Sequence, residues 1–223
     1  KPMTDQTPTQ SFPENYFQRV DGSDDRLFYT QPRLLVHIDD HAIAAIGSFF
    51  QEHLPQNATI LDLMSSWRSH LPDDFLTEKV VGLGMNEVEM RENQQLDEWV
   101  VHDLNSDPHL PFETGSFDTV VVTVSIQYIT RPVEVFSEVK RVLKDDGAFH
   151  VIYSNRMFPT KAVAIWHNLN DNERAQLIAS YFAKSEGWSQ PTARDVSPKL
   201  NIKTDPVFIV SANKLCSPSE PSE

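Results

Sequence analysis

The chain has one cysteine, Cys216, and it sits close to the C-terminal end. A single thiol excludes a disulfide framework within the chain, and a place in a polar end stretch speaks against a nucleophile. Runs of lysine or arginine are also missing. The formal net charge is −13 and the cationic residues are scattered. Repulsion from phosphates argues against nucleic acid as a main partner and against anionic membrane surfaces. No apolar run reaches the roughly 18–20 residues that a bilayer span needs. The polar first residues contain no apolar core of a secretion signal, so a cytoplasmic protein is expected. Internal repeats and linkers are absent from the body of the chain.

What is present suits one domain. A chain of 223 residues can bury a core without disulfide or metal staples. Its apolar fraction, 39%, is a little low, partly because of Lys1–Gln10 and Ser217–Glu223. Both stretches lack a periodic apolar pattern and are expected to be poorly ordered. The expected organisation is an N-terminal extension over 1–30, partly disordered, a domain over 31–215 and a disordered tail over 216–223.

Periodicity then predicts the elements. Leu35, Ile38, Ala42, Ile43, Ala45, Ile46 and Phe49 fall at helical spacing within Leu34–His53, just after Pro32. Buried strands are predicted at Ala58–Leu63, Lys79–Leu83, Glu98–His102, Phe117–Val124 and Ala148–Tyr153. Pro132–Leu143 reads as a helix stopped at Lys144–Gly147. Helical pieces follow near Lys161–His167 and Asp171–Lys184, the second capped by Asn170 or Asp171. A weak strand near Thr192–Val196 and a clear one at Pro206–Ala212 close the domain. Strands alternating with helices imply an α/β fold with a parallel sheet, whose ligand crevice lies outside the strand C-termini.

Three stretches carry a resemblance. They are Leu110-Pro111-Phe112 followed by Ser116-Phe117-Asp118, the helix end Glu138-Val139-Lys140-Arg141-Val142-Leu143-Lys144-Asp145-Asp146-Gly147, and Ile60-Leu61-Asp62-Leu63. Together, and in their spacing, they resemble class I S-adenosylmethionine-dependent methyltransferases, of the type 11-like kind that acts on small molecules. The resemblance covers roughly residues 57–155 well. It implies a Rossmann-like three-layer αβα sandwich with a mostly parallel seven-stranded sheet and an antiparallel last strand. It also implies S-adenosyl-L-methionine as cofactor and a small-molecule methyl acceptor. A non-catalytic Rossmann-like binding module is the alternative.

The same resemblance suggests where the cofactor would sit. Asp62 holds the family's acidic position at the end of the first strand. The family follows it with three glycines, which let the backbone turn sharply and approach the cofactor. Here those positions hold Met64, Ser66 and Arg68, so the loop is expected to take a different path, with Ser65 and Ser66 offering hydroxyls to the cofactor carboxylate. Trp67 is a candidate cover for the pocket. At the end of the second strand Gly84 replaces the family's ribose-binding acid. Met85 is expected beside adenine, and Asn86 either supplies an amide or caps a helix. Asp103 is expected to receive the adenine amino group, next to Leu104. Ser125 and Gln127 are expected to face the site, with Tyr128 equally suited to the core. Tyr29, Arg33, His37, His70, Asn155 and Arg156 are polar candidates around the acceptor. No catalytic residue is assignable. His37 and His41 with Asp40 have a metal-like spacing, but no third ligand follows and no metal is expected.

Overall fold

The computed structural model describes residues 12–216. The two polar ends expected to be poorly ordered lie outside the described residues. Strands β1 (Ala58–Leu63), β2 (Thr77–Gly84), β3 (Glu98–Val101), β4 (Phe117–Thr123), β5 (Leu143–Tyr153), β6 (Thr192–Asp195) and β7 (Phe208–Asn213) form one seven-stranded sheet. Their order is β3-β2-β1-β4-β5-β7-β6. β1 to β5 are parallel, and β7 is antiparallel to both its neighbours. The helices are α1 (Asp25–Phe28), α2 (Asp40–His53), α3 (Glu87–Glu92), α4 (Pro132–Val142), α5 (Ala164–His167) and α6 (Asp171–Ser185).

Alternate residues of each strand point to opposite faces, and the core divides accordingly. Leu61, Leu63, Val120, Val122 and Val151 pack with Phe136, Val139, Ile178 and Phe182 of α4 and α6. Ile60, Val121 and Ile152 pack with Ala42, Ile46 and Phe50 of α2. Helices thus cover both faces, as the α/β reading requires.

The two motif stretches before β4 and at the end of α4 lock onto each other. Leu110 N–H donates to Glu138 Oε2 at 3.0 Å, and the Arg141 guanidinium donates to the carbonyls of Leu110 (2.9 Å) and Phe112 (2.8 Å). Asp118 accepts from Thr59 N–H at 2.8 Å, fastening β4 to β1. These motifs hold the sheet together; none of these contacts touches a ligand position.

Several boundaries differ from the sequence reading, and three of the differences shape the domain. The first long helix starts at Asp40, because Asp39 caps it by accepting from Ala42 N–H at 2.9 Å. Residues 33–38 stay out of it because their backbone groups bond to side chains elsewhere: Arg33 N–H to Glu89, and the Leu35 carbonyl to Trp67. The turn expected at Lys144–Gly147 is an irregular start of β5, where the register with β4 shifts and Asp146 has φ 62°. Residues 12–30, expected as an extension, pack onto the domain. Phe12 meets Tyr181 edge-on at 5.8 Å. Asp25 is buried with Arg19 (2.9 Å) and the fully buried Lys161 (3.0 Å).

Candidate active site

A cavity of about 350 Å³ opens along the C-terminal ends of β1 to β4. It lies beside the point where strand order reverses between β1 and β4, the usual ligand position in such sheets. Its size suits a small molecule. Asp62, Met64, Ser65, Ser66, Met85, Asn86, Asp103, Leu104 and Ser125 all line it. So do Tyr29, Arg33, His37, His70 and Arg156, whereas Asn155 is exposed and outside the wall.

The loop after β1 is built without glycine. Met64 takes φ 58°, so one expected glycine conformation is kept at a strain of about 1–3 kcal/mol. Neither Ser66 nor Arg68 has positive φ. From Met64 the chain bends toward β2, and Ser65 N–H donates to the Leu83 carbonyl at 2.8 Å. The glycines that make room stand on β2 instead. A Cβ on Gly84 would run into the Ser65 carbonyl, and one on Gly82 would meet Leu96 at 2.6 Å.

The expected role of the serine hydroxyls needs correction. Ser65 Oγ donates to Asp62 at 2.6 Å and Ser66 Oγ to Glu89 at 2.8 Å. Their protons serve buried carboxylates. Asp62 also accepts from Ser69 Oγ at 2.7 Å. Burial pushes the Asp62 carboxyl up to about 6, and the two serine hydroxyls pull against that rise. A buried carboxylate without a cation is costly, and two hydroxyl donors are a minimal cage for it.

Asn86 is equally occupied. Its oxygen caps α3 by accepting from Glu89 N–H at 3.1 Å, and its amide donates to the carbonyls of Tyr29 (2.8 Å) and Thr30 (3.3 Å). The helix-cap reading therefore holds, and no amide proton is left for a ribose. Asp103 Oδ1 accepts from Asn105 N–H (2.9 Å) and Ser106 N–H (3.3 Å). Those bonds cap the loop after β3, and Oδ2 takes part in neither of them. At the end of β4 Ser125 lines the cavity, but Gln127 does not, and Tyr128 does. Gln127 is buried and donates to the carbonyls of Val124 and Arg156, while Tyr128 lines the cavity and its hydroxyl accepts from Phe158 N–H at 2.8 Å.

Residues 29–38 form a strap across the cavity. Its anchors are Asn86, Glu89 (2.7 Å to Arg33 N–H), Trp67 (2.8 Å to the Leu35 carbonyl) and Asp205 (2.9 Å to Asp39 N–H). Trp67 thus lies in the cavity wall, as expected, and its indole ties down the strap. Glu89 was missed in the sequence because a carboxylate in the first turn of a short helix looks like a solvated residue; here it is buried. Val124 and Phe158 were missed too, and no spacing marks them.

Backbone strain and unfilled polar atoms gather at this cavity. Met64, His70 (φ 61°) and Val124 (φ 52°) all line it, and positive φ is a true outlier for a β-branched residue. Arg33 Nη1, His70 Nδ1 and Thr123 Oγ1 are buried without a hydrogen-bond partner and lie on the same wall. Burial lowers the His70 imidazole to about 4, helped by Arg68, so it is neutral at pH 7. Among the described residues no group of three or more metal-ligating side chains converges, and no helix is long and apolar enough to cross a membrane.

Strand order, the antiparallel β7 and a cavity at the strand C-termini define the class: a Rossmann-like α/β domain with the sheet arrangement expected for the methyltransferase fold. Residues 67–151 match a family model described as a methyltransferase domain. That match begins beyond β1 and residues 64–66, so two of the three replaced glycine positions, Met64 and Ser66, lie outside it and Arg68 lies inside. Among solved structures the chain is similar to an S-adenosylmethionine-dependent methyltransferase from Listeria monocytogenes, with TM-score 0.55, 14% identity, and 79% of this chain and 99% of that chain covered. It is also similar to the [4+2]-cyclase SpnF, with TM-score 0.59, 13% identity, and 83% and 89% covered. A third similar chain comes from the complex between the Haloferax volcanii Trm112 methyltransferase activator and a methyltransferase, with TM-score 0.57, 14% identity, and 81% and 92% covered. Identities this low speak for the fold alone. Among curated protein sequences no match is found.

Proposed function

We propose that this chain transfers the methyl group of S-adenosylmethionine to a small molecule, and that the cavity at the ends of β1 to β4 holds both. The observation that carries the reading is the convergence on that one wall of nine residues named from sequence and three buried polar atoms without partners. A cavity lined by unfilled donors and acceptors fits a polar ligand, because such atoms are costly to leave unmade. Asp103 with its Oδ2, Leu104 through its backbone and Met85 through its thioether are the residues that would hold the nucleoside. Asp62, Met64, Ser65, Ser66 and Ser125 would shape the wall around the rest, and Asn86 would act through the strap it anchors.

The cofactor supplies an already activated methyl group, so the protein's task is alignment and exclusion of water. The strap and the Trp67 ring close the cavity from above. His70 is neutral at physiological pH, and its buried Nδ1, without a partner, can hydrogen-bond a polar group of the acceptor. Burial pushes the Tyr29 phenol up, which keeps it protonated as a donor. The cytoplasm stays part of this proposal on the sequence reading.

A second reading has its own support. The hydroxyls of Ser65 and Ser66 and the amide of Asn86 are all engaged inside the protein, as in a binding module that has given up the cofactor. SpnF, whose name is that of a cyclase, has a similar fold, and fold does not decide chemistry. Calorimetric titration with S-adenosylmethionine and S-adenosylhomocysteine separates the two. Binding of either with stabilisation by mass action favours the enzyme. No binding of either at millimolar concentration defeats it and leaves the module.

A further inference from the structure

Resting on the cofactor reading and deepening it, we propose that Arg33 is the residue of this cavity that binds a carboxylate. The strap places its guanidinium on an aromatic bed, 4.5 Å from the centre of the Phe28 ring, 5.3 Å from that of Phe158 and 5.9 Å from that of Tyr29. Nη2 donates to the Phe28 carbonyl at 3.0 Å. Nη1 is buried and has no partner. The planar fork of a guanidinium matches a carboxylate, and stacking on aromatic faces fixes its plane.

The other guanidinium groups of the wall are paired or exposed, and three of its carboxylates are taken. Arg156 pairs with Asp205 at 2.8 Å. Arg68 is exposed and stacks on Trp67 at 4.5 Å. Asp25 pairs with Arg19 and Lys161, Asp62 accepts from two serines, and Glu89 accepts from Ser66 and the Arg33 backbone. The serine hydroxyls that the sequence offered to a carboxylate are therefore taken, and the Arg33 side chain holds a buried, permanently charged N–H without a partner. Two carboxylates can reach such a site: the amino-acid end of the cofactor, or a carboxylate on the acceptor. Both present the same planar anion.

The test uses the full chain and the variants Arg33→Gln and Arg33→Lys, with thermal unfolding to verify that they fold. S-adenosylhomocysteine and 5′-methylthioadenosine, which lacks the amino-acid end, are titrated calorimetrically. Benzoate and its neutral isostere benzamide are titrated with and without S-adenosylhomocysteine. If the cofactor supplies the carboxylate, Arg33→Gln weakens S-adenosylhomocysteine roughly ten- to a hundredfold, leaves 5′-methylthioadenosine unchanged, and Arg33→Lys recovers part of the loss. If the acceptor supplies it, the homocysteine compound is unaffected, but the parent prefers benzoate to benzamide by about tenfold and the Gln variant loses that preference. Folded variants that change neither affinity nor preference overturn the proposal. Failure of both nucleosides to bind the parent chain defeats the cofactor reading separately, and the benzoate arm without nucleoside still decides for or against Arg33.

Discussion

The backbone of Ser65 lies so close over Gly84 that a Cβ on Gly84 would collide with the Ser65 carbonyl oxygen. This contact explains two departures from the family pattern at once. The loop after β1 has no glycine and leans onto β2, so β2 must supply the clearance. An acidic side chain at position 84 and the observed loop path exclude each other.

Gly84→Ala should therefore destabilise the fold by about 1–3 kcal/mol, the usual effect of overpacking a tight contact, and Gly84→Asp by more. Urea unfolding measures both. If the loop forms the cofactor wall, the Ala variant also binds S-adenosylhomocysteine more weakly. A variant as stable as the parent would mean that the contact is slack.

Asp103 has two separable duties, since Oδ1 caps its own loop and Oδ2 makes neither capping bond. Asp103→Asn keeps the capping acceptor and removes the carboxylate. Asp103→Ala removes both. We expect the Ala variant to bind S-adenosylhomocysteine about 1–3 kcal/mol more weakly, with the Asn variant retaining parental thermal stability. Unchanged affinity in the Ala variant would take Asp103 out of the site.

His150 is buried on β5 with Nδ1 at 2.7 Å from Ser211 Oγ and Nε2 without a partner. Burial pushes its imidazole down to about 3, with His53 and Arg194 adding to the shift. The unfolded chain takes up a proton below about 6.5, and the folded chain does so only near 3. Stability is therefore lost as the pH falls from about 6.5 toward 3. His150→Gln should lose about 2 kcal/mol less than the parent between pH 7.5 and 5. Asp62, raised to about 6, acts in the opposite direction: its folded form holds a proton that the unfolded chain releases above about 3.9. The difference between variant and parent cancels that contribution. Parallel pH profiles would refute the assignment.

Glu186 ends α6 at φ 53° and ψ 168°, near a backbone region that only glycine occupies freely. It is exposed, and its carbonyl, not its side chain, accepts from Lys140 Nζ at 2.7 Å. Glu186→Gly should raise stability by about 1 kcal/mol, read as a higher melting temperature with no change in ligand binding.

The fold was legible because its signals are local. The apolar, β-branched runs at Ala58–Leu63 and Phe117–Thr123 are strands, and Leu110, Glu138 and Arg141 bond to one another. Element ends were less legible. The stretch 33–38 has helical spacing, yet Glu89 and Trp67 hold it as a strap, and neither interaction is written in the local sequence.

The candidate site was legible as a set of positions. Strand ends place Asp62, Met85, Asp103 and Ser125 on one wall whatever the side chains do. The individual roles were not. Whether Ser65, Ser66 and Asn86 are free to meet a ligand depends on Asp62, Glu89 and the Tyr29 carbonyl.

Chain order and apolar periodicity thus located the strands, the helices and the end of the sheet at which a ligand would lie, while the seven-stranded sheet with its antiparallel last strand came from the family resemblance. Packing in three dimensions decided which polar atoms are already bonded and which, like Arg33 Nη1, are left over. A hydrogen bond needs two partners in register, and here the partners come from distant parts of the chain.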